Sequence, residues 1–290
     1  MNPLDYRPPL AWADLLEFLG ARAIPGVEHV TRDGQNPGGA YIRTVRVGDY
    51  RGDVRVSHDP VTQTLRVGIS QSLAMAGEPL IARLRHLFDL DADPRVIAAH
   101  LQGDRLLEQS VSATPGLRLP GAFDGFEMAV RAILGQQVSV RGATTLAGRL
   151  AEVFGEPIVT SHEGLARLTP TADTLAAASP EMISRLGILP SRAATIVTLS
   201  QAIANGLIDL SPGAPPQQVL PKLKALKGIG EWTAQYIAMR ALHWPDAFLA
   251  GDLGIHRALG GMNPKDAAAR AEAWRPWRAY AAMHLWKQIK

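Results

Sequence analysis

Apolar residues change their spacing partway along this chain, and that change limits the fold more than any other feature. Between residues 45 and 69 they alternate with polar ones: Val45 and Val47, Val54 and Val56, then Leu65, Val67 and Ile69. A period of two belongs to strands, whose side chains point to opposite faces. Gly48-Asp49 and Asp59-Pro60 fall between these runs as turns. The pattern predicts an antiparallel sheet buried on one face. Trp12–Leu19 and the set Leu80, Ile81, Leu84, Leu87 and Phe88 have helical spacing, so the N-terminal unit is expected to be α+β.

From Ala122 onward the period becomes that of a helix. Phe126, Val130, Ile133 and Leu134 form one apolar stripe, and Leu146, Leu150, Val153 and Phe154 a second, closed by Gly155 as a C-terminal cap. Ser179-Pro180 and Asn263-Pro264 combine a capping side chain with proline at the first helical position. Gly206 ends a further helix, and 211–216 reads as a loop. The expected remainder is a bundle of short helices without strands. With 290 residues, 47% of them apolar, the chain is long enough for more than one core.

Composition excludes several chemistries. There is no cysteine, which removes disulfides, thiolate zinc sites, iron–sulfur clusters and cysteine nucleophiles. Residues 1–10 contain Asp5, Arg7 and three prolines and do not look like a signal peptide. No stretch approaches the about twenty apolar residues that span a bilayer, so a soluble intracellular protein is expected. The 30 Lys and Arg against 27 Asp and Glu permit a nucleic-acid partner without requiring one. His243 and His256 lack the spacing of a zinc site and are read as packing or surface residues.

One segment carries chemistry. In Leu226-Lys227-Gly228-Ile229-Gly230-Glu231-Trp232-Thr233-Ala234, two glycines around an apolar residue allow a tight turn between helices. Such a turn bares N–H groups at the second helix's N-terminus, where they suit a phosphate oxygen. An ordinary helix–helix turn would explain the tripeptide alone equally well.

The wider pattern resembles the helix-hairpin-helix DNA glycosylases, and most of all their bacterial alkylation-repair branch, the 3-methyladenine DNA glycosylase II family. Besides the hairpin, the similarity is carried by Phe248-Leu249-Ala250-Gly251-Asp252, Gly116–Gly121, Ala132–Gln136 and Trp274-Arg275-Pro276-Trp277-Arg278, and it covers nearly the whole chain. The resemblance implies an α+β N-terminal domain (residues 1–85), a helical subdomain carrying the catalytic loop (86–121 with 245–290), and a second subdomain with the hairpin (122–244). Asp252 takes the place of the catalytic carboxylate. Trp232, Tyr236 and Trp286, with Phe18 from the N-terminal unit, occupy base-pocket positions. Leu253 stands in that pocket where an aromatic is familiar, which alters its shape. Gln137 falls at the wedge that fills the duplex after base flipping, a place where leucine is familiar. Gly228, Ile229, Gly230 and Lys227 make the phosphate-binding hairpin.

The implied reaction is removal of alkylated purines from double-stranded DNA. A carboxylate beside the sugar stabilises an oxocarbenium-like transition state and orients water, and a base already cationic leaves without a strong acid. Relatives that also cut the strand use a lysine at the position of Trp232, so a monofunctional hydrolase is expected. Trp274 and Trp277 read as a structural corner. No cofactor or metal is expected beyond a monovalent cation at the hairpin carbonyls. A monomeric, cytoplasmic, nucleoid-associated bacterial protein completes the expectation. The rival readings are a superfamily enzyme for oxidised, deaminated or mismatched bases, a non-catalytic DNA-binding module, and a helical scaffold. The module leaves Asp252 and the aromatic set unexplained, and the scaffold leaves the Gly228-Ile229-Gly230 turn and Asp252 unexplained.

Overall fold

A computed structural model describes residues 3–31 and 38–289. Five strands, β1 (Leu4–Asp5), β2 (Glu28–Thr31), β3 (Ala40–Val47), β4 (Tyr50–Asp59) and β5 (Thr64–Ile69), form one antiparallel sheet in the order β1-β5-β4-β3-β2. Tyr41 pairs with Val56, and Val56 with Val67, so the alternating residues line up across three strands. Helices α1 (Trp12–Gly20) and α2 (Gly77–Phe88) cover that face: Leu15, Leu16, Leu19, Leu80, Leu84 and Leu87 join the valines in a single core.

Burial on one face only does not hold at β3, where Ala40 to Val45 are all buried. Its polar residues reach partners in the helical part. Arg43 donates to Glu127 at 2.6 Å, and the Thr44 hydroxyl donates to the Arg167 carbonyl at 2.6 Å. A buried polar group is tolerated when it is paired in this way. The segment after residue 155 is also not free of β structure: Pro157 bridges Arg167, and Leu165 bridges Gly26 of the N-terminal unit.

Twelve further α-helices follow among the described residues: α3 (Pro94–Leu101), α4 (Glu108–Ala113), α5 (Gly125–Leu134), α6 (Val140–Phe154), α7 (Ala172–Ala176), α8 (Pro180–Ser184), α9 (Pro190–Ala204), α10 (Pro216–Ala225), α11 (Glu231–Arg240), α12 (Leu253–Ala258), α13 (Pro264–Ala271) and α14 (Arg278–Gln288). Ser179 and Asn263 cap α8 and α13 through their side chains, each followed by proline. In α6 the buried line is Ala147, Leu150 and Ala151, with Phe154 half-buried, and Val153 is 57% exposed. The expected stripe is therefore rotated toward the alanines. Gly155 is not left-handed (φ −77°). It stands there because a Cβ would lie 2.2 Å from the Leu168 carbonyl oxygen and 2.3 Å from that of Ala151.

Three apolar cores result. The sheet's core extends to Leu87, Phe88, Leu90 and Phe123, since α2 runs unbroken through residue 85. A second gathers Ile24 and Val27 with buried residues between 122 and 242. The third joins Ile97–Leu119 to Met239 and Ala247–Leu285. Asp89 links these layers. It ends α2 in the left-handed conformation (φ +55°), and its carboxylate accepts from the Leu119 N–H at 2.9 Å and the Tyr280 hydroxyl at 2.8 Å. His243 pairs with the same carboxylate at 3.2 Å, as a packing residue. No helix among the described residues is long and apolar enough to cross a membrane.

Candidate nucleic-acid interface and active site

Helices α10 and α11 form the predicted hairpin. Gly228 has φ +93°, where a side chain is strained, and its Cβ would lie 2.1 Å from Thr195 Oγ1. The Ile229 side chain is buried, and its N–H bonds the Leu226 carbonyl at 3.1 Å. Ile229 thus anchors the turn in the core and has no N–H left for a ligand. Gly230 caps α11 without a capping side chain, which leaves the first-turn N–H groups of that helix facing outward. Lys227 is exposed beside them. The carbonyls each accept a protein hydrogen bond, Lys227 from the Thr195 hydroxyl at 3.0 Å, Gly228 from Gln136 at 2.9 Å and Gly230 from the Ala234 N–H at 3.0 Å. Each keeps a second lone pair, so neutral oxygens of the kind that suit a monovalent cation are present.

Asp252 lies half-buried at the start of α12. Its Oδ1 accepts from the Gly254 N–H at 2.9 Å and the Ile255 N–H at 3.1 Å, which makes it the helix cap. Oδ1 also accepts from Trp286 Nε1 at 2.8 Å, and Oδ2 accepts from Trp232 Nε1 at 3.0 Å. Three donors therefore hold one oxygen and one holds the other. Oδ1 satisfies the helix and leaves Oδ2 the freer oxygen. Gly254 makes the approach of Trp286 possible: a Cβ there would lie 2.9 Å from Trp286 Cδ1.

Trp232 and Tyr236, one turn apart on α11, stack with centroids 5.2 Å apart and planes at 8°. Arg240, a further turn on, donates to the Tyr236 hydroxyl at 3.0 Å, and its guanidinium lies 4.8 Å from the Phe18 ring. Arg22 lies 3.7 Å from that ring on α1's side. Burial pushes the Tyr236 phenol up, but Arg240, Arg22 and Arg131 outweigh it and hold it below an ordinary tyrosine. The aromatic group is thus flanked by a carboxylate at one end and guanidiniums at the other. Leu253 does not join it: it is 72% exposed, an open surface residue at the first position of α12.

Gln137 is exposed, with φ +53°, in the loop between α5 and α6. Its neighbour Gln136 bonds Gly228 and Thr233 of the hairpin. Sequence reasoning quoted Gln136 only as part of a motif and gave it no task. Arg22 and Arg240 were also missed, although the four-residue step from Tyr236 to Arg240 was a visible signal. Trp274 is a packed corner, 1% exposed, with Nε1 on Asp104 at 2.7 Å. No cluster of three or more His, Cys, Asp or Glu suited to a metal occurs among the described residues.

Residues 2–124 match the family model of the AlkA N-terminal domain, and residues 130–279 that of the HhH-GPD superfamily base excision DNA repair protein. The chain is 37% identical over 286 residues to DNA-3-methyladenine glycosylase 2 of Escherichia coli (strain K12), covering 99% of this chain and 96% of that one. It is 39% identical over 293 residues to a probable bifunctional transcriptional activator/DNA repair enzyme AlkA of Mycobacterium tuberculosis (strain ATCC 25618 / H37Rv), covering 99% of this chain and 56% of that protein. Among solved structures, 3-methyladenine DNA-glycosylase from Archaeoglobus fulgidus superposes with a TM-score of 0.83 at 21% identity, over 99% of this chain and 97% of that one, a likeness of fold.

Proposed function

The chain belongs to the HhH-GPD superfamily of base excision DNA repair proteins, and from that premise we propose that it is a monofunctional glycosylase removing alkylated purines from duplex DNA. The observation that carries this reading is Asp252 between two indoles. A single carboxylate with one lightly held oxygen, framed by stacked aromatics, suits a cationic base whose bond to the sugar breaks toward an oxocarbenium ion.

In this reading the duplex is held by α11's N-terminus, with the exposed Lys227 adding charge. Gln137 fills the gap left by the flipped nucleotide and hydrogen-bonds the orphaned base. Trp232, Tyr236 and Trp286 form the walls around the extruded purine, and Phe18 with its arginines closes the far end. Asp252 Oδ2 stabilises the developing charge on the sugar and orients the attacking water. Trp232 offers no amine, so the abasic site is left uncut. A monovalent cation on the turn's carbonyls would add positive charge near the phosphate, and K⁺ titration of DNA affinity tests it. Action as a monomer in the bacterial cytoplasm, at the nucleoid, belongs to the same proposal.

The test uses duplexes carrying 3-methyladenine, 7-methylguanine, hypoxanthine or 8-oxoguanine with wild type and Asp252→Asn. Asparagine caps a helix about as well as aspartate, so the variant should fold normally while losing the charge. Release of the alkylated purines should fall by about 10³-fold or more in the variant, and wild type should leave the strand intact. Strand cleavage without alkali would refute the monofunctional reading. Release of 8-oxoguanine alone, or of no base, would refute the substrate class.

A further inference from the structure

Gln136 stands between the wedge loop and the hairpin. Its amide Nε2 donates to the Gly228 carbonyl at 2.9 Å and to Thr233 Oγ1 at 3.0 Å. Both acceptors belong to the hairpin. Gly228 is the left-handed residue of its turn, and Thr233 lies buried in the first turn of α11, next to Trp232. From α9 the Thr195 hydroxyl donates to the Lys227 carbonyl at 3.0 Å. The turn is therefore gripped twice, and Gln136 is the grip that comes from the loop carrying Gln137.

That loop has a conformation needing support. Gln137 sits at φ +53°, in the left-handed region that a non-glycine residue adopts only when its surroundings enforce it. After it, Ser139 caps α6 by accepting from the Gly142 N–H at 3.1 Å. Before it, Gln136 is bonded to the hairpin. With both flanks fixed, Gln137 is held out into solvent in one direction.

We propose that Gln136 is a positioning residue that makes the wedge loop and the hairpin one rigid body. Backbone capture by the turn then sets the place where Gln137 enters the base stack. This rests on the proposed glycosylase function, because it assigns Gln136 a part in nucleotide flipping. A loop free to move would have to be ordered at the moment of insertion, which opposes flipping. Gln136 is half-buried, so on its removal water replaces most of what the two acceptors lose and the fold is little affected.

The experiment uses the full chain with Gln136→Leu, which removes the donor at similar length, and Gln136→Glu, which sets a carboxylate against the Gly228 carbonyl and leaves only the Thr233 hydroxyl able to bond it. The probe is a duplex with a tetrahydrofuran abasic analogue beside 2-aminopurine, whose fluorescence reports unstacking as the wedge enters. Both variants should melt like wild type. Both should lower the flipping equilibrium by about tenfold, the cost of ordering about one residue's backbone in the freed loop, and lower kcat on alkylated DNA with KM little changed. In a Gln137→Ala background, Gln136→Leu should cost less than about twofold more. Unchanged flipping, or full additivity with Gln137→Ala, would overturn the proposal. If wild type releases no base from any lesion, the functional reading fails, and the abasic probe still decides the role of Gln136.

Discussion

Asp252 has an asymmetric set of partners, and replacing each indole by phenylalanine separates them. Trp286→Phe removes one of three donors to Oδ1 and leaves the Gly254 and Ile255 N–H groups in place. Trp232→Phe removes the indole N–H that donates to Oδ2. The two oxygens of a planar carboxylate turn together, so with Oδ1 still held by its three donors the loss falls on the charge that Trp232 stabilises at Oδ2. A hydrogen bond to a charged group contributes about 1.5–3 kcal/mol, and at about 1.4 kcal/mol per factor of ten the expected fall in kcat for Trp232→Phe is about 10- to 100-fold. For Trp286→Phe, with the cap intact, it is about threefold. KM should change little in either, since a phenyl ring still stacks on Tyr236 or walls the pocket. Multiple-turnover release of 7-methylguanine from alkylated duplex measures kcat, single-turnover release isolates the chemical step, and urea melts verify that both variants fold. If Trp286→Phe is the more damaging, or if both stay within about twofold of wild type, the assignment of Oδ2 as the working oxygen is wrong.

Two further outcomes concern stability. Arg43 and Glu127 form a buried ion pair at 2.6 Å, with Glu28 at 3.6 Å and the Thr169 hydroxyl completing the cluster. Glu127→Ala leaves the guanidinium buried with less compensation and should destabilise the protein by about 3–5 kcal/mol, read by urea denaturation. Burial above all holds the His86 and His284 imidazoles down to about 4. Between the ordinary histidine value of about 6.5 and 4 the unfolded chain binds more protons than the folded one. Stability should therefore fall as pH drops through that window, by about 3 kcal/mol per histidine at most. His243 works in the opposite sense: burial lowers it, but Asp89 prevails and its value is raised, so its contribution is present at low pH and lost as pH rises. Denaturation at pH 7 and 4.5 should show a shallower acid loss for His284→Asn than for wild type, and an equal slope would contradict the assignment.

Much of the site was legible because its parts are local. Gly228-Ile229-Gly230 is a turn by residue type alone, and Trp232 and Tyr236 share a helix face by spacing. Asp252 was singled out by the resemblance, whose motif Phe248-Leu249-Ala250-Gly251-Asp252 ends on the catalytic carboxylate. Leu253 shows the limit: the resemblance placed it in the pocket wall, but the first residue of a helix can face either way, and here it is largely exposed to solvent. The Val153 position failed for a related reason. A period of 3.6 defines a stripe, but the neighbouring helices decide which side of it is buried.

The sequence by itself determined the α+β class, the strand and helix periods and the hairpin, since each depends on residues close together in the chain, and the resemblance its motifs carry supplied the candidate carboxylate. Tertiary structure alone decided that both oxygens of Asp252 meet indoles from α11 and α14, that Arg22 and Arg240 flank Phe18, and that Gln136 ties the wedge loop to the hairpin. It also decided which polar residues of β3 are buried. The physical reason is range. Backbone preferences and apolar periods act over a few residues, whereas a hydrogen bond between residues 136 and 228 exists only after packing has brought the two segments within 3 Å.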